Sequence, residues 1–254
     1  MPRGIRHDLG WLVARPIAHR GLHDAAAGVI ENSVSAAEAA IAGRFGIECD
    51  VQLSADGEAM VFHDFVLDRL TAETGRVAER SAAVLSGIAL KGSGDRIPTL
   101  DAFLDAIGGR VPLVIEIKSR FDGDLTLTRR TADVLSRRGD QPIVIKSFDP
   151  GIIAALREIA PTIPRGVVAM SDYSYPDYEH LDASQKHAFA NLLHFDESKP
   201  DFLSWKVADL PSAAPYLCRN ALGLPLMTWT VRTPEDRKKA AIHADQMVFE
   251  GFVP

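Results

Sequence analysis

The strongest constraint on the fold is an alternation that runs through most of the chain. Short β-branched or apolar runs take turns with stretches of helical periodicity. The candidate strands are Ile17–His19, Gly46–Leu53, Ala59–His63, Pro112–Lys118, Pro142–Ser147, Gly166–Met170, Phe202–Trp205, Leu226–Val231 and Gln246–Phe249. Between them lie helical stretches such as Ser33–Arg44, Leu100–Ile107, Thr126–Arg138, Pro150–Glu158 and Pro234–Ala244. Strands that are apolar on both faces and separated by helices predict a parallel sheet covered by helices. The chain has 254 residues, close to the roughly 250 of a single (β/α)8 barrel. No Gly/Ser- or Pro-rich linker divides it, so one domain over 1–254 is expected.

Nine candidate strands are one more than an eight-stranded barrel takes. Either one of them is wrong, or Asp56-Gly57, a strong tight-turn dipeptide, closes a local hairpin. Asn32 or Ser33 is placed to cap the first helix, and Ser35-Ala36-Ala37-Glu38 has capping-box spacing. The interval 64–98 is long and irregular and reads as an insertion over one end of the barrel.

Polar residues concentrate at strand ends. In Glu48-Cys49-Asp50 the strand period of two puts both carboxylates on one face and Cys49 on the other. In Glu116-Ile117-Lys118 the same period pairs a carboxylate with an ammonium. His19 ends the first strand and is followed by Arg20-Gly21; His63 ends the third and is followed by Asp64. Inward-facing charges on apolar strands are costly unless they pair or bind a metal. Several together at strand ends mark the mouth of a barrel as the active site. Glu48, Asp50 and Glu116 supply hard oxygen donors that suit one divalent cation, Ca2+ or Mg2+, better than zinc. Arg20 and Lys118 suit an anionic phosphoryl group, and imidazoles titrate near neutral pH and exchange protons readily. This combination describes phosphoryl transfer with acid–base assistance.

The segments Ala18-His19-Arg20-Gly21, Glu31-Asn32-Ser33, Glu48-Cys49-Asp50-Val51, Asp56-Gly57, Val61-Phe62-His63-Asp64, Ile97-Pro98-Thr99-Leu100, Glu116-Ile117-Lys118, Ser147-Phe148 and Thr228-Trp229-Thr230-Val231 resemble, in order and spacing, the glycerophosphodiester phosphodiesterase family. The resemblance spans roughly residues 16 to 249. It implies a phospholipase C-like TIM barrel with a small insertion after the third strand. It also implies metal-dependent hydrolysis of a small glycerophosphodiester to an alcohol and sn-glycerol 3-phosphate. Carried over by position, His19 and His63 become the acid–base pair, with His19 as base. Glu48, Asp50 and Glu116 become the metal ligands, and Arg20 and Lys118 the phosphate contacts. Trp229 and Phe148 become pocket walls, and Glu31 contacts the metal or steadies Arg20. The chain departs from the family at the end of the last strand, where Phe249-Glu250-Gly251 stands in place of a Thr-Asp pair. The stretch 170–198, with three tyrosines and several histidines, follows no family pattern. The rival readings are a lysophospholipid or sugar phosphodiester substrate, and a silent barrel that only binds phosphorylated ligands.

Other features set limits. The net charge is −6, which disfavours a nucleic-acid partner. No apolar run long enough for a signal or a membrane span is evident, so no integral membrane association is expected. Cys49 and Cys218 form no motif, and a reducing cytoplasmic location is the expectation. A homo-oligomer is compatible with the sequence and not required by it. His7, His23, His180, His187, His194 and His243 lack motif context and read as surface or local hydrogen-bonding residues.

Overall fold

The computed structural model describes residues 8–254; His7 lies outside them. The strands are β1 (Ile17–Ala18), β2 (Gly46–Leu53), β3 (Ala59–Val61), β4 (Leu113–Ile117), β5 (Ile143–Ser147), β6 (Arg165–Ala169), β7 (Phe202–Lys206), β8 (Leu226–Val231) and β9 (Gln246–Phe249). The sheet runs β1-β9-β8-β7-β6-β5-β4-β2-β3, and a further β1–β2 pairing closes it. Eight strands pair in parallel, while β3 pairs antiparallel with β2. The chain folds as a (β/α)8 TIM barrel, and the strand in excess of eight, β3, is the return arm of the Asp56-Gly57 hairpin. Gly57 takes φ 83° there, as such a turn requires.

The helices are α1 (Val34–Ala42), α2 (Ala82–Leu85), α3 (Leu100–Ile107), α4 (Thr126–Ser136), α5 (Pro150–Ile159), α6 (Ala183–Ala190), α7 (Phe195–Ser198), α8 (Ala213–Asn220) and α9 (Pro234–His243). Their starts follow local chemistry. The Asp149 carboxylate caps α5 with Pro150 in its first turn, and Thr233 with Asp236 forms a capping box on α9. At α1 the expected Ser35–Glu38 capping box does not form. The Ser33 hydroxyl caps the helix by accepting the Ala36 N–H, so the helix has already begun when Ser35 is reached.

Alternation divides the strand side chains between two layers. Cys49, Val51, Leu113, Ile115, Ile117, Ile145, Val167 and Leu203 face outward and pack under the helices. Val114, Val144, Phe202, Met227 and Val248 fill the barrel floor with Ile17. Leu9 and Leu12 plug that floor from below, and the Gln246 side-chain amide donates to the Leu12 and Arg15 carbonyls, 2.6 Å each. Gly166 is required by this packing. A Cβ there would lie 2.3 Å from the Phe202 ring, far inside contact distance. The interval 64–98 contains α2 and short bridges. Leu67, Val77, Leu85, Leu90 and Ile97 from it, together with Ile30, Met60 and Phe62, form a separate apolar cluster. The polar ends of the strands gather at the opposite, C-terminal end of the barrel.

Candidate active site

The parallel register decides which polar groups meet. Asp50 lies beside Glu116, and Glu116 beside Lys146, so β2, β4 and β5 place three ionisable groups on one rung. Two residues before Asp50, Glu48 points to the same face. The oxygens of Glu48, Asp50 and Glu116 lie within 4.8 Å of one another and all three residues are buried. A cation about 2.3–2.6 Å from each donor spans oxygen pairs up to roughly 5 Å apart. The donor set therefore fits a hard divalent ion, and the three acids predicted from sequence do converge.

The cage is also lined with cations. Lys118 Nζ is 2.8 Å from Asp50 Oδ1 and also bonds Glu116. Lys146 Nζ is 3.0 Å from Glu48 Oε1 and 3.1 Å from Glu116 Oε2. The Arg20 backbone N–H donates to Glu48 Oε2 at 3.0 Å, and its side-chain Nε lies 3.4 Å from Asp50. Burial alone pushes the carboxyls upward, yet Lys118, His63 and Arg20 hold Asp50 well below the usual carboxylate range. Lys118 and Lys146 likewise outweigh burial and hold Glu116 at about 2. Asn32 adds a second fixing point. It sits at φ 57°, a left-handed conformation that asparagine tolerates. Its side chain donates to Asp50 Oδ2 at 3.0 Å and accepts the Asp50 N–H at 3.1 Å. Asn32 is therefore not the cap of α1; it orients an acid of the cage.

His19 and His63 are held in parallel ways. His19 Nδ1 is 2.5 Å from Glu250 Oε2, and Arg232 donates to both oxygens of Glu250. His63 Nδ1 is 2.7 Å from Asp64 Oδ1, and Arg69 donates to both oxygens of Asp64. A carboxylate at Nδ1 fixes the N–H there and leaves Nε2 as the exchanging position. His19 Nε2 faces the cage, 4.0 Å from Glu48 Oε2. His63 is attached to the same side through its carbonyl, which accepts the Gln52 amide at 2.8 Å. Gly21 permits the close approach after His19. It takes φ 81°, and a Cβ would lie 2.7 Å from Ala36. Glu31 is outside the cage atoms; it accepts from Arg20 at 2.6 Å and from Arg69 at 2.7 and 2.8 Å. Despite burial, hydrogen bonds from Arg69 and the charges of Arg20 and Arg69 hold it at about 2.

The model of the glycerophosphoryl diester phosphodiesterase family matches residues 19–248. The chain belongs to this family. A glycerophosphodiester phosphodiesterase of Caldanaerobacter subterraneus subsp. tengcongensis is 32% identical over 234 residues, covering 88% of this chain and 88% of that one. Among solved structures, an Oleispira antarctica phosphodiesterase in complex with the product sn-glycerol-3-phosphate superposes with a TM-score of 0.76. It is 20% identical over 94% of this chain and 93% of that chain. A glycerophosphodiester phosphodiesterase of Thermotoga maritima superposes at 0.69, with 22% identity and 92% of each chain covered. At these identities the structural likenesses speak for the barrel fold.

Set within this family, three features of the chain's site escaped sequence reading. Lys146 ends a run of β-branched residues and looked like ordinary strand. Glu250 looked like a departure from a motif, although a carboxylate one position past the last strand can reach the first strand across the closing β1–β9 pair. The third is the extension of the aromatic wall beyond the expected Phe148 and Trp229. Phe148 meets Trp229 edge-on at 5.4 Å, and Tyr178 approaches Phe148, Tyr173 and Phe121 at 5.6, 5.0 and 6.1 Å. The unpatterned stretch 170–198 thus supplies Tyr173, Tyr178, Leu181 and Phe189 to one cluster with Phe121, Phe148 and Trp229. The Trp229 indole N–H is tied to the Ser204 carbonyl at 3.0 Å. Burial and the nearby Glu116 carboxylate push the Tyr178 hydroxyl well above its ordinary value. The wall therefore stands beside the cage. The other histidines stand outside the cage: His194 is buried against the Ser198 hydroxyl at 3.0 Å and meets Phe189 edge-on at 5.8 Å, and His180 packs on Phe121 at 5.5 Å. His23 is partly buried near Glu250 and Glu31, and burial lowers its pKa. No helix among the described residues is long and apolar enough to cross a membrane.

Proposed function

We propose that this enzyme hydrolyses glycerophosphodiesters to an alcohol and sn-glycerol 3-phosphate, with one divalent cation, Ca2+ or Mg2+, held by Glu48, Asp50 and Glu116. The observation that carries this reading is the pair of arginine-braced carboxylate–imidazole units, His19 with Glu250 and His63 with Asp64, set around the three-acid cage. The cation, when bound, supplies Lewis acidity toward the phosphoryl oxygens. Arg20 and Lys118 add positive charge for the same group, 16% and 14% exposed at the rim and so within reach of a substrate. In this reading His19 Nε2 takes a proton from the nucleophile, either water or the glycerol 2-hydroxyl, and His63 Nε2 gives one to the departing alkoxide; the 2-hydroxyl route leaves a cyclic phosphate that water then opens. Glu31 steadies Arg20 through the 2.6 Å pair. Trp229 and Phe148 line the approach to the cage.

The aromatic wall favours a substrate whose alcohol part is bulky or cationic, because aromatic faces attract both apolar groups and quaternary ammonium. The test is a continuous assay for sn-glycerol 3-phosphate and for the released alcohol, run on glycerophosphocholine, lysophosphatidylcholine and glycerophosphoinositol. Release of sn-glycerol 3-phosphate from glycerophosphocholine, lost when divalent metal is stripped and regained with Ca2+ or Mg2+, is the expected result. Preferred cleavage of lysophosphatidylcholine moves the substrate class to lysophospholipids. Tight binding of these esters with no product from any of them refutes the hydrolytic reading.

A further inference from the structure

The carboxylate cage already contains a fixed cation. Lys146 is 2% exposed, and its ammonium bridges Glu48 Oε1 and Glu116 Oε2 at 3.0 and 3.1 Å. Lys118, by contrast, stands at the rim with a 14% exposed side chain. It can swing toward a phosphate, whereas Lys146 has no route to solvent. Every oxygen of the three acids has a nitrogen within 3.4 Å, although Glu48 Oε1 meets Lys146 as an ion pair with no aligned hydrogen bond. Glu48 has Lys146 and the Arg20 N–H; Asp50 has Lys118, Asn32 and Arg20; Glu116 has Lys118 and Lys146. Three formal negative charges therefore meet two ammoniums, Lys118 and Lys146, with Arg20 shared between Asp50 and Glu31. An entering divalent ion meets a cage much nearer neutral than −3, and it must compete with the cations already paired to these oxygens.

We infer that Lys146 is a resident counter-cation that weakens divalent binding in the Glu48–Asp50–Glu116 cage and keeps the ion exchangeable. This rests on reading the cage as the metal site. A unit charge fixed within a few ångströms of a divalent ion repels it strongly at the effective dielectric of buried sites. The same ammonium holds one oxygen each of Glu48 and Glu116 that the ion could otherwise use. A purely structural brace makes the opposite forecast: without Lys146 the acids splay apart, and metal affinity falls. The two roles thus differ in sign.

The experiment is calorimetric titration of Ca2+ and of Mg2+ into the metal-stripped full chain, comparing wild type with Lys146→Met and Lys146→Gln. Both variants are expected to bind at least roughly tenfold tighter. Thermal unfolding in chelator and in saturating Ca2+ gives a second readout that does not depend on turnover. The variants should melt lower than wild type without metal, and Ca2+ should raise their Tm by more than it raises that of wild type. If Lys146→Met does not fold without metal, Lys146→Gln carries the comparison. Equal or weaker metal affinity in a folded variant overturns the counter-cation role while leaving the metal site standing. No Ca2+ or Mg2+ binding by wild type or variants overturns the metal site and this inference with it.

Discussion

Glu250 offers a sharp test of how the site is organised, because it touches the proposed base and not the cage. Its Oε2 lies 2.5 Å from His19 Nδ1, and Arg232 holds the carboxylate from the other side at 2.9 and 3.2 Å. Replacing it with alanine removes a charge-assisted hydrogen bond worth about 1.5–3 kcal/mol. If that energy is lost from the transition state, kcat falls by roughly 10- to 150-fold. Glu250→Gln keeps an acceptor but loses the charge, so it should fall between wild type and Glu250→Ala. Because neither oxygen of Glu250 faces the rim cations Arg20 and Lys118, KM should change by less than about threefold: the carboxylate acts through His19 and counts most when the imidazole gains a proton. The assay is sn-glycerol 3-phosphate release, with circular dichroism to confirm the native fold. A folded Glu250→Ala that keeps more than half of the wild-type kcat refutes the idea that His19 depends on its carboxylate.

His19→Ala and His63→Ala should each lower kcat by a factor on the order of 10² or more with the fold retained, as read by the same assay; near-wild-type rates in both end the two-histidine mechanism. Gly166→Ala should destabilise the barrel by about 1–3 kcal/mol, because the added methyl group meets the Phe202 ring at 2.3 Å, and an unchanged urea midpoint contradicts the packing of the barrel floor. Glu31 is held at about 2 against an ordinary value of 4.5. Its contribution is therefore complete above pH 4.5 and lost as pH falls through 2. The stability gap between wild type and Glu31→Gln should be widest at neutral pH and close between those two values; a gap independent of pH removes the charged partners as its cause.

Much of this site was legible in the sequence because a strand keeps strict alternation. Glu48 and Asp50 had to share a face once β2 was a strand, and parallel pairing then brought Glu116 beside Asp50. The hairpin at Asp56-Gly57 was readable from its turn dipeptide, and it accounts for β3, the strand in excess of eight. What escaped depends on pairing across the closed barrel. Lys146 acquires its meaning only when β5 lies beside β4, and Glu250 only when β9 lies beside β1. The misplaced capping box has a local cause: Asn32 turns left-handed to reach Asp50, and the helix starts directly after it at Ser33. Residues 170–198 followed no family pattern; they form no barrel strand and carry α6 and α7 instead. Their aromatic residues are ordered by contacts with Phe121, Phe148 and Trp229, which lie far away in sequence.

The barrel mouth is divided between two sectors. Ionisable groups come from β1 to β5 and from the residue after β9, whereas the aromatic wall rises from the segments after β4, β5 and β6 and from β8. The sectors meet at β4 and β5, where Lys118 and Lys146 stand three and two residues before Phe121 and Phe148, while the stretch 170–198 belongs to the aromatic sector alone. Mutation can remodel the aromatic sector, or exchange a whole loop there, while leaving the acids and imidazoles in register. One scaffold can in this way drift from one alcohol leaving group to another without reinventing its chemistry.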